Sequence, residues 1–308
     1  MTEKVLVIKS TGKFYTVQNE DGKTYECTVK GKFRLKGLKL TNPVAVGDHV
    51  LIDTDSLVIE DILDRENYII RQSPKKKHAE QIIASNIDQA ILITTFSMPR
   101  TSTGFMDRFL ITAEAYHIKS IILFNKADLL SESEISEVKE RMKIYESAGY
   151  ECYLISVIEE IGLEVLNQKL KNKITLLCGH SGVGKSSLIN SLLPDKEIAT
   201  REISDYSEKG LHTTTFAEMH DLPDGGKIID TPGIKEFGVL DFDASEVGHC
   251  FPEMRDYLSD CKFHNCLHLD EPKCAVRQAV ENDNISEERY KNYKKIVMDV
   301  KNEIKPWE

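Results

Sequence analysis

Residues 179–187, Gly-His-Ser-Gly-Val-Gly-Lys-Ser-Ser, have the spacing of a loop that cradles phosphate groups. An apolar run at 174–178 precedes them and reads as a strand; a helix is expected from Lys185. Gly179, Gly182 and Gly184 let the backbone curl so that successive N–H groups, with those of Ser181, His180 and Val183 and the helix N-terminus, face an anion. Lys185 is placed to reach the outer phosphates of a triphosphate, Ser186 to offer a hydroxyl to Mg²⁺, and Ser187 to close the first helical turn. A second tetrapeptide, Asn125-Lys126-Ala127-Asp128, directly follows the apolar run 121–124. An aspartate there accepts both the ring N–H and the exocyclic amine of guanine, whereas adenine presents an acceptor at the ring position and leaves the carboxylate unpaired. Asn125 is placed for the other edge of the base and Lys126 for its face, with Ser156 expected as a last base contact after the strand at 153–155.

Asp230-Thr231-Pro232-Gly233 follows a short apolar run and supplies the remaining parts of a triphosphate site. Asp230 at a strand end is a second Mg²⁺ anchor, and the Gly233 N–H senses the γ-phosphate. Between them and the phosphate loop lies Gly210-Leu211-His212-Thr213-Thr214-Thr215, a segment suited to a nucleotide-sensitive switch. Thr214, with Thr213 next, is expected on Mg²⁺. Ile234 stands where a water-orienting glutamine is often found and has no group to do that work; His212 is the candidate to orient the attacking water. The base tetrapeptide precedes the phosphate loop, the reverse of the usual order in small GTP-hydrolysing domains. A circularly permuted chain explains this, since chain ends at a domain surface can be rejoined. The region after residue 240 is then tied directly to the γ-phosphate-sensing segment.

A separate cluster combines soft donors: Cys261-x₄-Cys266-x-His268-x₅-Cys274. Three thiols and an imidazole within fourteen residues make a structural zinc set, one ion per chain, with no open position for catalysis. His249, Cys250 and His264 are nearby rivals. Cys27, Cys152 and Cys178 sit alone in apolar runs and are expected in cores. Seven cysteines, an odd number, spread along such a chain do not suggest a disulfide framework.

Three kinds of element must position these groups. Residues 1–70 carry short β-branched and aromatic runs separated by turn signals, which predicts a small barrel of the OB kind, with a generic SH3-like barrel as the alternative. Residues 71–240, opening on the Pro74-Lys75-Lys76-Lys77 linker, alternate strand and helix and predict a mostly parallel covered sheet. Residues 241–308 hold the Cys/His cluster and end in an amphipathic helix over 286–305, predicting a mostly helical zinc-binding domain. The 308-residue chain carries a net charge of −10, yet residues 1–40 hold nine basic side chains against four acidic ones. In a strand over 30–36, Lys30, Lys32, Arg34 and Lys36 share one face and suit a phosphate backbone; a lysine-guarded edge strand is the alternative. No apolar run reaches the ~20 residues of a membrane helix, and the N-terminus lacks a secretory pattern, so a cytoplasmic protein is expected.

The barrel, the permuted nucleotide motifs, the Gly-x-His-Thr-Thr-Thr switch and the Cys/His spacing, in this order, resemble the RsgA (YjeQ/YloQ) family of small-ribosomal-subunit biogenesis GTPases. The resemblance covers nearly the whole chain. It implies a GTPase that binds the 30S subunit late in its assembly, contacts 16S rRNA and is stimulated by that subunit; a monomer is expected. It places nucleotide contacts on 125–128 and 179–187 and zinc on Cys261, Cys266, His268 and Cys274. A GTP-gated RNA-binding module with incidental hydrolysis is the alternative. A metabolic kinase is disfavoured by the guanine-selective tetrapeptide.

Overall fold

The computed structural model describes residues 1–30, 43–72, 80–193, 217–231 and 243–302. The N-terminal strands are β1 (Thr2–Ser10), β2 (Tyr15–Gln18), β3 (Thr24–Val29), β4 (His49–Asp53) and β5 (Val58–Ile62). They pair in the order β1-β2-β3-β5-β4, and β4 returns to β1, closing a five-stranded barrel. Alternation puts Val5, Val7, Tyr15, Val17, Val50 and Ile52 inside together with Cys27 and Ile59. Of the predicted basic strand, only Lys30 is described, and its ammonium pairs with Glu60; Lys32, Arg34 and Lys36 lie outside the described residues.

β6 (Tyr68–Gln72) and β7 (Glu80–Ser85) form a separate antiparallel pair flanking the Pro-Lys segment. A buried charge cluster joins this pair to the barrel. Asp48 takes two 2.6 Å hydrogen bonds from Arg65 and one from the Ser85 hydroxyl at 2.6 Å.

The main sheet runs β10 (Glu151–Leu154), β9 (Lys119–Asn125), β8 (Gln89–Thr95), β11 (Ile174–Gly179), β13 (Lys227–Asp230) and β12 (Glu218–Asp221). All neighbours are parallel except the β12–β13 hairpin. Side chains alternate between two cores. Ala90, Leu92, Ile122, Phe124, Leu176 and Cys178 face helices α1 (Thr103–Ala115) and α2 (Glu132–Ser147). Ile91, Ile93, Ile121, Leu123 and Leu177 face α3 (Leu163–Leu170) and α4 (Lys185–Leu192). This double burial explains why β8 and β9 read as unbroken apolar runs. Pairing of Lys9 with Glu218, reinforced by a 2.9 Å ion pair, makes the barrel and this sheet continuous.

The C-terminal region packs α5 (Arg255–Leu258), α6 (Ala275–Glu281) and α7 (Glu287–Asn302) around Phe251, Met254, Val276, Tyr293 and Ile296. The predicted amphipathic helix is α7: Tyr290, Tyr293, Ile296 and Val297 are buried on one face. Among the described residues, no helix is long and apolar enough to cross a membrane.

Candidate nucleotide site and metal centre

In the main sheet, chain order runs outward from β8 to β9 and β10 on one side and through β11 to β13 on the other. The carboxyl ends of the strands beside such a reversal form a natural ligand crevice. Asn125 ends β9, Gly179 ends β11 and Asp230 ends β13, so three motifs distant in sequence converge there.

The two principal loops touch directly. Asn125 donates its side-chain amide to the Val183 carbonyl at 2.9 Å. Gly184, at φ +95°, makes this contact possible, because a Cβ there would lie 2.3 Å from Asn125 Nδ2. Gly179 allows a similar approach: its Cβ would lie 2.7 Å from the Ile93 carbonyl oxygen. The Asn125 Oδ1 is buried and has no protein partner among the described residues, a polar atom that still needs a donor.

On the base side, the Ser156 hydroxyl donates to Asp128 Oδ1. The Ala127 N–H to the Ile155 carbonyl, at 3.0 Å, ties the two loops together. Lys126 adopts a left-handed conformation (φ 68°) and donates to the Met98 carbonyl at 2.6 Å. Partial burial lowers its pKa, opposed by the neighbouring Asp128 carboxylate.

On the phosphate side, Ser186 and Ser187 occupy the first turn of α4. The Lys185 ammonium bonds to Asp230 Oδ1 and to the Thr231 carbonyl, and the Thr231 hydroxyl bonds back to the Leu177 carbonyl at 3.1 Å. The cation expected at the phosphates thus stands against the carboxylate expected at the metal, both largely buried. Hard oxygen donors at a strand end and a helix start are the chemistry Mg²⁺ takes. His180 lies against Phe105, ring centroids 3.6 Å apart and planes tilted by 32°, and burial lowers its pKa, which favours the neutral imidazole. His212, Thr213, Thr214, Gly233 and Ile234 lie outside the described residues.

The structure therefore gathers Asn125, Lys126, Asp128, Ser156, residues 179–187 and Asp230 at one edge of the sheet. Sequence reasoning did not anticipate the loop at 96–101 as part of this wall. Met98 accepts from Lys126, and Pro99 faces Gly182, whose Cβ would lie 3.3 Å from the proline ring. A proline inside an irregular stretch signals a turn, but no pattern tells which loop it abuts.

The second cluster brings ligand atoms of Cys261, Cys266, His268 and Cys274 within 4.8 Å of one another. His268 Nδ1 lies 3.5 Å from Cys261 Sγ and 3.3 Å from Cys274 Sγ, and the latter two sulfurs are 3.9 Å apart. Tetrahedral zinc, with bonds of ~2.3 Å to sulfur and ~2.0 Å to nitrogen, sets such atoms about 3.5–3.8 Å apart. The donor set and spacing thus fit a metal ion, which this cluster could hold. Supporting bonds fix the ligand backbone: Tyr290 OH donates to the His268 carbonyl at 2.6 Å and Tyr293 OH to the Leu267 carbonyl at 2.9 Å. The rivals His249, Cys250 and His264 are not members of this cluster.

Comparison with known proteins agrees with this geometry. One family model, the RsgA N-terminal domain, matches residues 5–57, and a second, the RsgA GTPase, matches residues 62–240. The small ribosomal subunit biogenesis GTPase RsgA of Phocaeicola vulgatus is 49% identical over 96% of this chain and 96% of its own. Its namesake in Christiangramia forsetii is 51% identical over 94% of each chain. Among solved structures, YjeQ from Thermotoga maritima aligns with a TM-score of 0.79 at 36% identity, covering 98% of this chain and 99% of its own. YloQ, described as a circularly permuted GTPase, aligns at 0.75 and 31% identity over 98% of this chain and 96% of its own.

Proposed function

We propose that this chain, which belongs to the RsgA GTPase family and is a GTP hydrolase, acts in the cytoplasm as a monomer that binds the 30S ribosomal subunit and assists its late assembly. The small-subunit role rests on the names of its relatives. The observation that carries the nucleotide reading is the Asn125–Val183 hydrogen bond. It joins the base loop to the phosphate loop, so a single guanosine triphosphate spans from Asp128 to Lys185.

Asp128, braced by Ser156, reads the guanine edge, while Asn125 and Lys126 frame the base. The amides of 179–184 and Lys185 hold the phosphates. Ser186, Asp230 and Thr214 would hold Mg²⁺, which neutralises charge on the outer phosphates when bound. Asp230 would then face the metal and Lys185 the phosphates, in place of the contact they make with each other here. His212 orients the attacking water in place of the side chain that Ile234 lacks, and Gly233 senses the γ-phosphate. Residues 1–70 contact 16S rRNA through Lys30, Lys32, Arg34 and Lys36, and zinc in the Cys₃His cluster stabilises residues 241–308 without chemistry.

Co-sedimentation with 30S and 50S subunits in GDP and GTP-analogue states, paired with turnover assays, tests this reading. Selective 30S binding in the GTP-analogue state and faster turnover on 30S are expected. Equal binding to both subunits, or turnover unaffected by 30S, contradicts it. Nucleotide-dependent binding with unstimulated turnover supports the GTP-gated binding module instead, a reading that Ile234 favours.

A further inference from the structure

We propose that α1 is a lever between the phosphate loop and the Cys/His region, with Phe105 as its positioning residue on the nucleotide side. The helix belongs to two cores at once. Phe105, Met106, Phe109, Leu110 and Ala113 pack in the sheet core. Ile111 packs with Val247, Phe251 and Tyr293 in the C-terminal core.

Each end of this lever is a specific contact. At the first turn, the Phe105 ring lies against His180 of the phosphate loop. The loop before the helix is closed onto the end of β8: the Thr101 N–H bonds to the Thr95 carbonyl at 2.9 Å, and the Thr95 N–H bonds to Thr101 Oγ1 at 3.1 Å. Ser102 caps the helix by accepting from the Phe105 N–H at 3.2 Å. A shift of His180 therefore has no slack to vanish into before it meets the helix.

Two residues on, Asp107 faces the other way, as helical periodicity requires. Fully buried, it takes a 2.5 Å bond from Arg289 and a 2.7 Å bond from Asn292, both on α7. Arg289 also holds Glu253 through two bonds at 2.6 and 2.9 Å. Arg255 meets Glu114 at the far end of α1 at 2.5 Å. Breaking a buried, multiply bonded pair is costly, so the joint holds and a small displacement of α1 at the phosphate loop carries α7 with it. The route is separate from the direct chain connection after Gly233.

The test is hydrogen exchange by mass spectrometry on the full-length chain with GDP and with a non-hydrolysable GTP analogue. Nucleotide affinity is measured in parallel. In the unmodified chain, exchange in α7 is expected to differ between nucleotides by about threefold or more. Phe105→Leu keeps apolar volume but removes the ring. It is expected to bring the two states together within about 1.5-fold while both nucleotides bind within about threefold of normal affinity. Phe105→Tyr, which keeps the ring, restores the difference; Phe105→Met replaces the leucine variant if that chain does not fold. A nucleotide-dependent difference in α7 that survives loss of the ring overturns the proposal, as does its absence from the unmodified chain. Failure to bind guanine nucleotide at all instead removes the proposed function.

Discussion

Asp128 illustrates how much one side chain decides. The Ser156 hydroxyl bonds to one of its oxygens, which fixes the carboxylate at the end of the base loop. Asp128→Asn turns an acceptor into a donor opposite the donors of guanine. Affinity for GDP is expected to fall about a hundredfold, close to 3 kcal/mol, with xanthosine diphosphate gaining in competition. Unchanged GDP affinity contradicts the assignment. His212 carries a different prediction. His212→Ala is expected to leave GTP binding intact and to lower turnover about a hundredfold in single-turnover assays; unaltered turnover contradicts its role. The position of Asp128 was legible because motif chemistry is local: side-chain type and distance from a strand end determine what can be offered to a ligand. The contact between Asn125 and Val183 was not legible, because it depends on how closely two non-adjacent loops approach.

The elements were read in proportion to how plainly burial marks them. Strands β8 and β9 are buried on both faces and stand out as apolar runs. Helix α1 escaped notice because it packs against two cores, and eight of its thirteen residues are buried, so no single apolar stripe appears. Strand β12, Glu-Met-His-Asp, has no strand-like composition and exists through its pairing with β13. Edge strand β10 carries an electrostatic tie that tests the sheet. Bonds from Lys119 at 2.6 Å and from Lys169 hold the Glu151 carboxyl down to about 2. A depressed carboxyl stabilises the fold above its unfolded pKa near ~4.5, and that contribution disappears as pH falls toward about 2. Glu151→Gln is therefore expected to lower stability to urea at pH 7, with the gap to the unmodified chain closing between pH 4.5 and 2. A gap independent of pH contradicts this linkage.

At the scale of the molecule, three regions are fastened by polar joints that no sequence pattern announces. Asp48 with Arg65 and Ser85 joins the barrel to the β6–β7 pair, and Asp107 with Arg289 joins residues 182 positions apart. Such pairs depend on complete tertiary burial, which is why composition could suggest the regions but not how they lock. The Cys₃His cluster anchors the last region, since α7 supports the ligand backbone through Tyr290 and Tyr293. Elemental analysis is expected to find about one zinc per chain, and chelation to strip exchange protection from 243–302 before the main sheet melts. Full protection there in metal-free protein contradicts a structural ion.

The central claim is that two loops met in reversed sequence order enclose one nucleotide. A crystal structure of the chain with a non-hydrolysable GTP analogue tests it most directly. The account predicts Asp128 on the guanine edge and Lys185 on the β- and γ-phosphates of the same molecule. A nucleotide bound elsewhere, or one that engages only one of these two side chains, contradicts it.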